Sequence, residues 1–142
     1  MIKGIDFTGI AVAFLCHDGQ GNYVMHRRSQ NCRDEHGCWD FGGGGVKFGE
    51  LLEDCLKREV KEEYDADILD SKFLGHRELL REHNGGKTHW LCFYYQVLVS
   101  PEQVINNEPE KHDELCWFRF DDLPQPLHSM IPGDIEMYKN KL

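Results

Sequence analysis

The sequence predicts an α/β (α+β) fold, with strands interleaved with helices in one domain. Three observations carry this. Apolar, aromatic and β-branched runs recur along the chain, at Thr8 to Cys16, Thr88 to Val99 and Leu115 to Phe120, and read as strands. Leu51 to Tyr64 contains no Gly or Pro and is rich in good helix formers, and a second helical stretch follows from Asp134 to Lys141. With 142 residues and no interdomain linker, residues 1–142 are expected to form one domain. That length supports a hydrophobic core without staples.

Taken in order, Thr8 to Cys16 is a buried strand, and His17 to Asn22 is a turn cluster. Tyr23 to Arg27 returns as the hairpin partner, with Arg28 directly after it. Ser29 to Gly37 is a polar loop, and Trp39-Asp40-Phe41 is a short strand feeding four glycines. Asp67 to Glu78 alternates loosely and is expected to bend at Gly75. His83-Asn84-Gly85-Gly86 is a turn signal. Thr88 to Val99 is nearly all apolar, so both of its faces should be covered. Trp90, Cys92 and Tyr94 share one face; Leu91, Phe93 and Tyr95 share the other. Ser100-Pro101 opens a short helical turn. An acidic loop from Asn106 to Glu114 precedes the Leu115–Phe120 strand, and Ile131-Pro132-Gly133 leads into the terminal helix.

Helical spacing puts Leu52, Cys55 and Leu56 on one face with Val60 at its edge, and Glu59, Glu62 and Glu63 continue that face. Asp54, Lys57, Arg58 and Lys61 fall opposite. An apolar stripe faces the core, so this one carries three carboxylates into a partly buried patch. Like charges there repel and lose hydration. A hard divalent cation would neutralise them, Mg²⁺ first because it also binds phosphates. A solvated charge run paired with Lys57, Arg58 and Lys61 explains the helix alone equally well. Gly42 to Gly45 tips the balance. Successive glycines let backbone approach a ligand and permit positive φ. The loop they form should open into a helix N-terminus, which favours anions, with Glu50 at the helix start.

Gly44, Glu50, Arg58, Glu59, Val60, Glu62 and Glu63 stand at the spacing G-x5-E-x7-R-E-U-x-E-E-x-G-U, with U apolar, and so resemble the Nudix box. Asp65 stands where the motif has Gly, Ala66 is small for the last apolar position, and Gly42 replaces the Pro usual before the Gly pair. Asp tolerates the left-handed conformation better than most residues, so the helix cap should survive. The resemblance implies a Nudix-type α/β/α sandwich, a mixed central sheet with helices on both sides, and a metal-dependent hydrolase of nucleoside diphosphates linked to another moiety. It implies that Glu59, Glu62 and Glu63 hold Mg²⁺, or Mn²⁺ in its place, with a carbonyl of Gly43 or Gly44. Arg58 cannot act as a base and would orient Glu50 or Glu59 by a forked hydrogen bond. The general base falls to Glu62 or Glu63, with Glu110 a third choice. Arg27, Phe41, Gly43 and Gly44 are expected against the substrate. Further along, Glu108-Pro109-Glu110-Lys111, Trp117-Phe118 and Asp122-Leu123-Pro124 are similar to cytosolic nucleoside-triphosphate pyrophosphatases of the MutT-like branch. That similarity implies that Glu110, or failing it Glu108 or Glu114, reaches the metal. A solvated acidic loop explains these residues equally well.

The expected activity is Mg²⁺-dependent cleavage of a nucleoside triphosphate, oxidised or not, to the monophosphate and pyrophosphate. The alternatives are cleavage of ADP-ribose or another nucleotide sugar, and a non-catalytic nucleotide sensor, for which Asp65 is the one hint. Lys and Arg number 16 against 25 Asp and Glu, a net charge of −9. That balance suits a small phosphorylated ligand with a metal and disfavours polymeric nucleic acid. No apolar run approaches membrane-spanning length and no signal-peptide pattern begins the chain, so a cytoplasmic protein without a membrane partner is expected. The six cysteines show no Cys-x-x-Cys pair and suit reduced thiols. Cys32, His36 and Cys38 lack the second ligand pair of a zinc site. A homodimer is left open.

Overall fold

A computed structural model describes residues 1–142 of the protein. Seven strands and two helices follow one another as β1 (Gly9–His17), β2 (Asn22–Arg28), β3 (Trp39–Asp40), β4 (Gly42–Gly45), α1 (Leu52–Tyr64), β5 (Asp70–His83), β6 (Gly86–Leu98), β7 (His112–Arg119) and α2 (Ile131–Tyr138), with a 3-10 turn at Lys139–Lys141. The sheet is ordered β3-β2-β1-β6-β5, with β4 added to β1 and β7 to β2. β1 and β6 run parallel from Gly9↔Trp90 to His17↔Leu98, while the other pairings are antiparallel. The sheet is therefore mixed, as expected.

Period-two alternation along β1 divides the core between two sides of the sheet. Val12, Phe14 and Cys16 pack with Cys55, Leu56, Val60 and Tyr64 of α1. Leu15 packs on the other side with Met25, Tyr94 and Cys92, beneath Ile131 and Tyr138 of α2. Helix, sheet and helix thus make the expected sandwich. No helix is long and apolar enough to cross a membrane.

Several boundaries move for physical reasons. β5 runs on past Glu78 to His83, because its ladder with β6 continues to the turn at Asn84 and Gly85, both at positive φ. The bend at Gly75 is a bulge in that ladder, with φ 141°. The short turn expected after Ser100 forms, the Gln103 N–H donating to the Ser100 carbonyl and the Val104 N–H to the Pro101 carbonyl, while the Ser100 hydroxyl bonds the carboxylate of Glu102. α2 begins at Ile131 rather than Asp134, since Pro132 is tolerated in a first helical turn. Asp65 caps α1 in the left-handed conformation, φ 53°, with its N–H donating to the Lys61 carbonyl.

Candidate active site

The site forms where α1 crosses β4. Gly42 to Gly45 are a strand hydrogen-bonded to β1, and none of the four has positive φ. The expected loop opening into a helix N-terminus is therefore corrected, because Val46 to Leu51 intervene and the glycines face the C-terminal half of α1 instead. What the glycines supply is space. A Cβ on Gly44 would stand 2.0 Å from Cδ of Glu59. On Gly42 it would stand 2.1 Å from the Phe14 ring and 2.8 Å from Oε2 of Glu63. The Gly43 N–H donates to that same Glu63 oxygen at 3.2 Å.

Arg58 ties the assembly together. Its Nε and Nη2 donate to the two oxygens of Glu50 at 2.8 and 2.9 Å, Nη1 donates to Glu59 at 2.7 Å, and Nη2 also reaches the Gly45 carbonyl at 3.0 Å. The forked bond expected toward Glu50 or Glu59 reaches both. Arg58 is thus not on the solvent side with Lys57 and Lys61, as helical spacing implied, because its long side chain turns back under β4. Its hydrogen bonds hold the Glu50 carboxyl at about 2, well below the usual range. Glu59 shifts the opposite way, since burial outweighs the help of Arg58. Glu63 is 7% exposed, and burial, reinforced by Glu59, Glu108 and Asp40, pushes its carboxyl well up. Glu62 is the open one, with 48% of its side chain exposed.

These carboxylates line one wall of a cavity of about 570 Å³. Gly42 to Gly45, Glu59, Glu62, Glu63 and Glu108 define its acidic end. Trp90, Tyr94, Asp40, His128, Ile131 and Asp134 line the cavity as well. There, burial raises the Asp40 and Asp134 carboxyls, against the pull of His128 and Arg28 on the first and of Tyr94 and Arg77 on the second. Tyr94 donates to Asp134 at 2.7 Å.

The expected site residues distribute unevenly. Phe41, Gly43, Gly44, Glu59, Glu62 and Glu63 all border the cavity. Arg58 and Glu50 lie behind it as supports. Arg27 lies outside and pairs with Asp113 and Glu114, while Arg28 borders the cavity and bonds Asp34 and Asp40. Glu110 also lies outside, its carbonyl accepting from Ser29 and Asn31, and Glu108 takes the cavity position instead. Sequence reasoning passed over Asp40, His26, His112 and Asp134. The available signal was a charged or imidazole group inside a strand or helix pattern with an apolar surround.

The acidic end fits a divalent cation on its donor set. Glu59, Glu62, Glu63 and Glu108 all line it, and Glu63 is so deeply buried that its carboxyl resists ionisation without a compensating charge.

The profile of the NUDIX domain family matches residues 7–140. RNA pyrophosphohydrolase of Teredinibacter turnerae is 27% identical over 145 residues, covering 92% of this chain and 81% of that protein. Histone deacetylase 1 of Oryza sativa subsp. japonica is 32% identical over 91 residues, 64% of this chain, and the match spans 17% of its length. Among solved structures, the MutT NUDIX hydrolase from Burkholderia pseudomallei superposes with a TM-score of 0.80 at 27% identity, covering 93% of this chain and 98% of that one.

Proposed function

The chain belongs to the NUDIX domain family, and from that premise we propose that residues 1–142 form a Mg²⁺-dependent pyrophosphohydrolase that splits a nucleoside triphosphate into the monophosphate and pyrophosphate. One observation carries the reading. Glu59 and Glu63 of α1 meet a side-chain-free strand, with Glu62 beside them, on the wall of a cavity of about 570 Å³, a volume in the range of small-molecule sites.

Glu59, Glu62, Glu63 and Glu108 would hold the cation, whose chemistry is to neutralise phosphate oxygens and acidify a bound water. Gly43 and Gly44 let a phosphate chain lie against backbone. Arg58 keeps Glu59 aimed by fixing one of its oxygens and is itself anchored on Glu50. Glu62, the most exposed of the three helix carboxylates, has room to accept a proton from attacking water. Arg28 brings positive charge to the cavity. Its aromatic lining suits a nucleoside, with Phe41 and Trp90 as apolar walls. The net charge of −9 favours a mononucleotide over the polymer that a relative's name suggests.

The test is a substrate panel with Mg²⁺ in ¹⁸O-labelled water, comparing nucleoside triphosphates, their oxidised forms and ADP-ribose. Release of monophosphate and pyrophosphate, lost in Glu63→Gln, is expected. AMP from ADP-ribose with inert triphosphates would overturn the substrate class. Nucleotide binding without turnover would make the protein a sensor.

A further inference from the structure

Behind the acidic end lies a second cluster of different chemistry. His26 on β2, His112 at the start of β7 and Glu63 near the end of α1 are 3%, 3% and 7% exposed. One potential ligand atom from each lies within 4.8 Å of the other two. The two imidazoles stack with centroids 3.8 Å apart and planes 18° from parallel. Nε2 of His112 stands 3.9 Å from Oε1 of Glu63, beyond hydrogen-bond reach. Nδ1 of His26 shares a 2.9 Å hydrogen bond with the Tyr64 hydroxyl, which leaves Nε2 as its free donor. Nδ1 of His112 is buried with no partner. Buried polar groups normally find partners, so an imidazole left this way marks a place where something else belongs.

We propose that His26, His112 and Glu63 form a second cation site, for a divalent transition metal such as Zn²⁺, set behind the oxygen-lined end of the cavity and sharing Glu63 with it.

Imidazole nitrogen selects Zn²⁺ or Co²⁺ over Mg²⁺, whose ligands are hard oxygens. The bond from His26 to Tyr64 is the kind of outer partner that orients a ligating histidine. Zinc–nitrogen bonds of about 2.0–2.1 Å require donors closer than these and rings that are not stacked. His112 must therefore turn, and having no side-chain hydrogen bond, it breaks none in turning. All three residues border the same cavity, which gives the ion an entry path. Occupation would draw the Glu63 carboxylate toward the imidazoles and away from the glycine strand. Micromolar Zn²⁺ should then inhibit Mg²⁺-dependent turnover, the one part that rests on the proposed hydrolase reading.

The probe is Zn²⁺ alone, added to the whole chain carrying ¹⁵N-labelled histidine and followed by NMR. Side-chain signals of His26 and His112 should move together and saturate at one equivalent. His112→Gln and His26→Gln should each weaken binding at least tenfold, and Glu59→Gln should leave it within threefold. Thermal unfolding identifies any variant that is misfolded, and the wild-type signals alone remain decisive. The proposal is overturned if those two signals stay fixed while other histidines respond, or if binding survives both histidine variants. Zn²⁺ seated on both histidines in a protein without turnover would sink the hydrolase reading alone. Turnover with no zinc site would sink this inference alone.

Discussion

Replacing Gly44 by alanine places a methyl group where the Glu59 carboxylate now lies. The new carbon would stand 2.0 Å from Cδ and 2.2 and 2.3 Å from the oxygens, whereas ordinary contact begins at 3.4 Å. The carboxylate must therefore retreat by about 3.4 − 2.0 = 1.4 Å. It is the end of a flexible side chain, so overpacking costs little, about 1 kcal/mol or less in folding. Catalysis is less tolerant, because a shift of about 1 Å in a reacting group costs on the order of 100-fold. Gly42→Ala makes the contrast. Its Cβ meets the fully buried Phe14 ring at 2.1 Å and Oε2 of Glu63 at 2.8 Å, so it costs stability as well, about 1–3 kcal/mol, besides displacing Glu63. Pyrophosphate release at saturating Mg²⁺ and thermal unfolding separate the two quantities. Gly44→Ala should lose about 100-fold in kcat while melting within about 4 °C of wild type. Retention of activity within threefold would refute the idea that the glycine strand exists to seat Glu59.

Arg58→Lys keeps the charge but loses the fork, and should lower kcat by about tenfold or more. In the same variant the Glu50 carboxyl should rise from about 2 toward its ordinary range, read by carboxyl ¹³C NMR. Arg28→Ala should raise KM at least tenfold through loss of charge in the cavity, whereas Arg27→Ala, paired at the surface, should change it less than twofold. Glu35 gives the pH prediction. Burial would raise its carboxyl, but hydrogen bonds from Ser129 and the charges of His128 and Arg81 outweigh it and pull it below 4.5. The folded state thus binds fewer protons than the unfolded one, so the stabilisation is present above pH 4.5 and is lost as pH falls through the folded value. Glu35→Gln should cost about 1 kcal/mol at pH 7 and the two melting curves should converge in acid.

Much of the acidic end was legible because it is local. Gly42 to Glu63 is one continuous stretch, and helical spacing is enough to align Glu59, Glu62 and Glu63 with the apolar face. Spacing failed at Arg58, because it reports where a side chain leaves the helix and not where a long one ends. It also failed to rank Arg27 against Arg28. The β2–β7 register shifts between those two residues, and a register shift leaves no mark in the local pattern. The choice of Glu108 over Glu110 depends on a turn whose amides, from Lys111 and His112, fold back on the Glu108 carbonyl. The rest of the cavity lining was out of reach for another reason. Asp40, Trp90 and Asp134 come from β3, β6 and α2 and meet only once the sheet is built.

That division of the cavity lining has an evolutionary reading. On the proposed function, one short contiguous segment would supply most of the bond-breaking equipment, whereas scattered, separately replaceable positions shape the rest of the lining. A duplicated gene would be free to specialise by altering those scattered positions singly, trying new bases or sugars while the inherited cutting edge went on working unchanged.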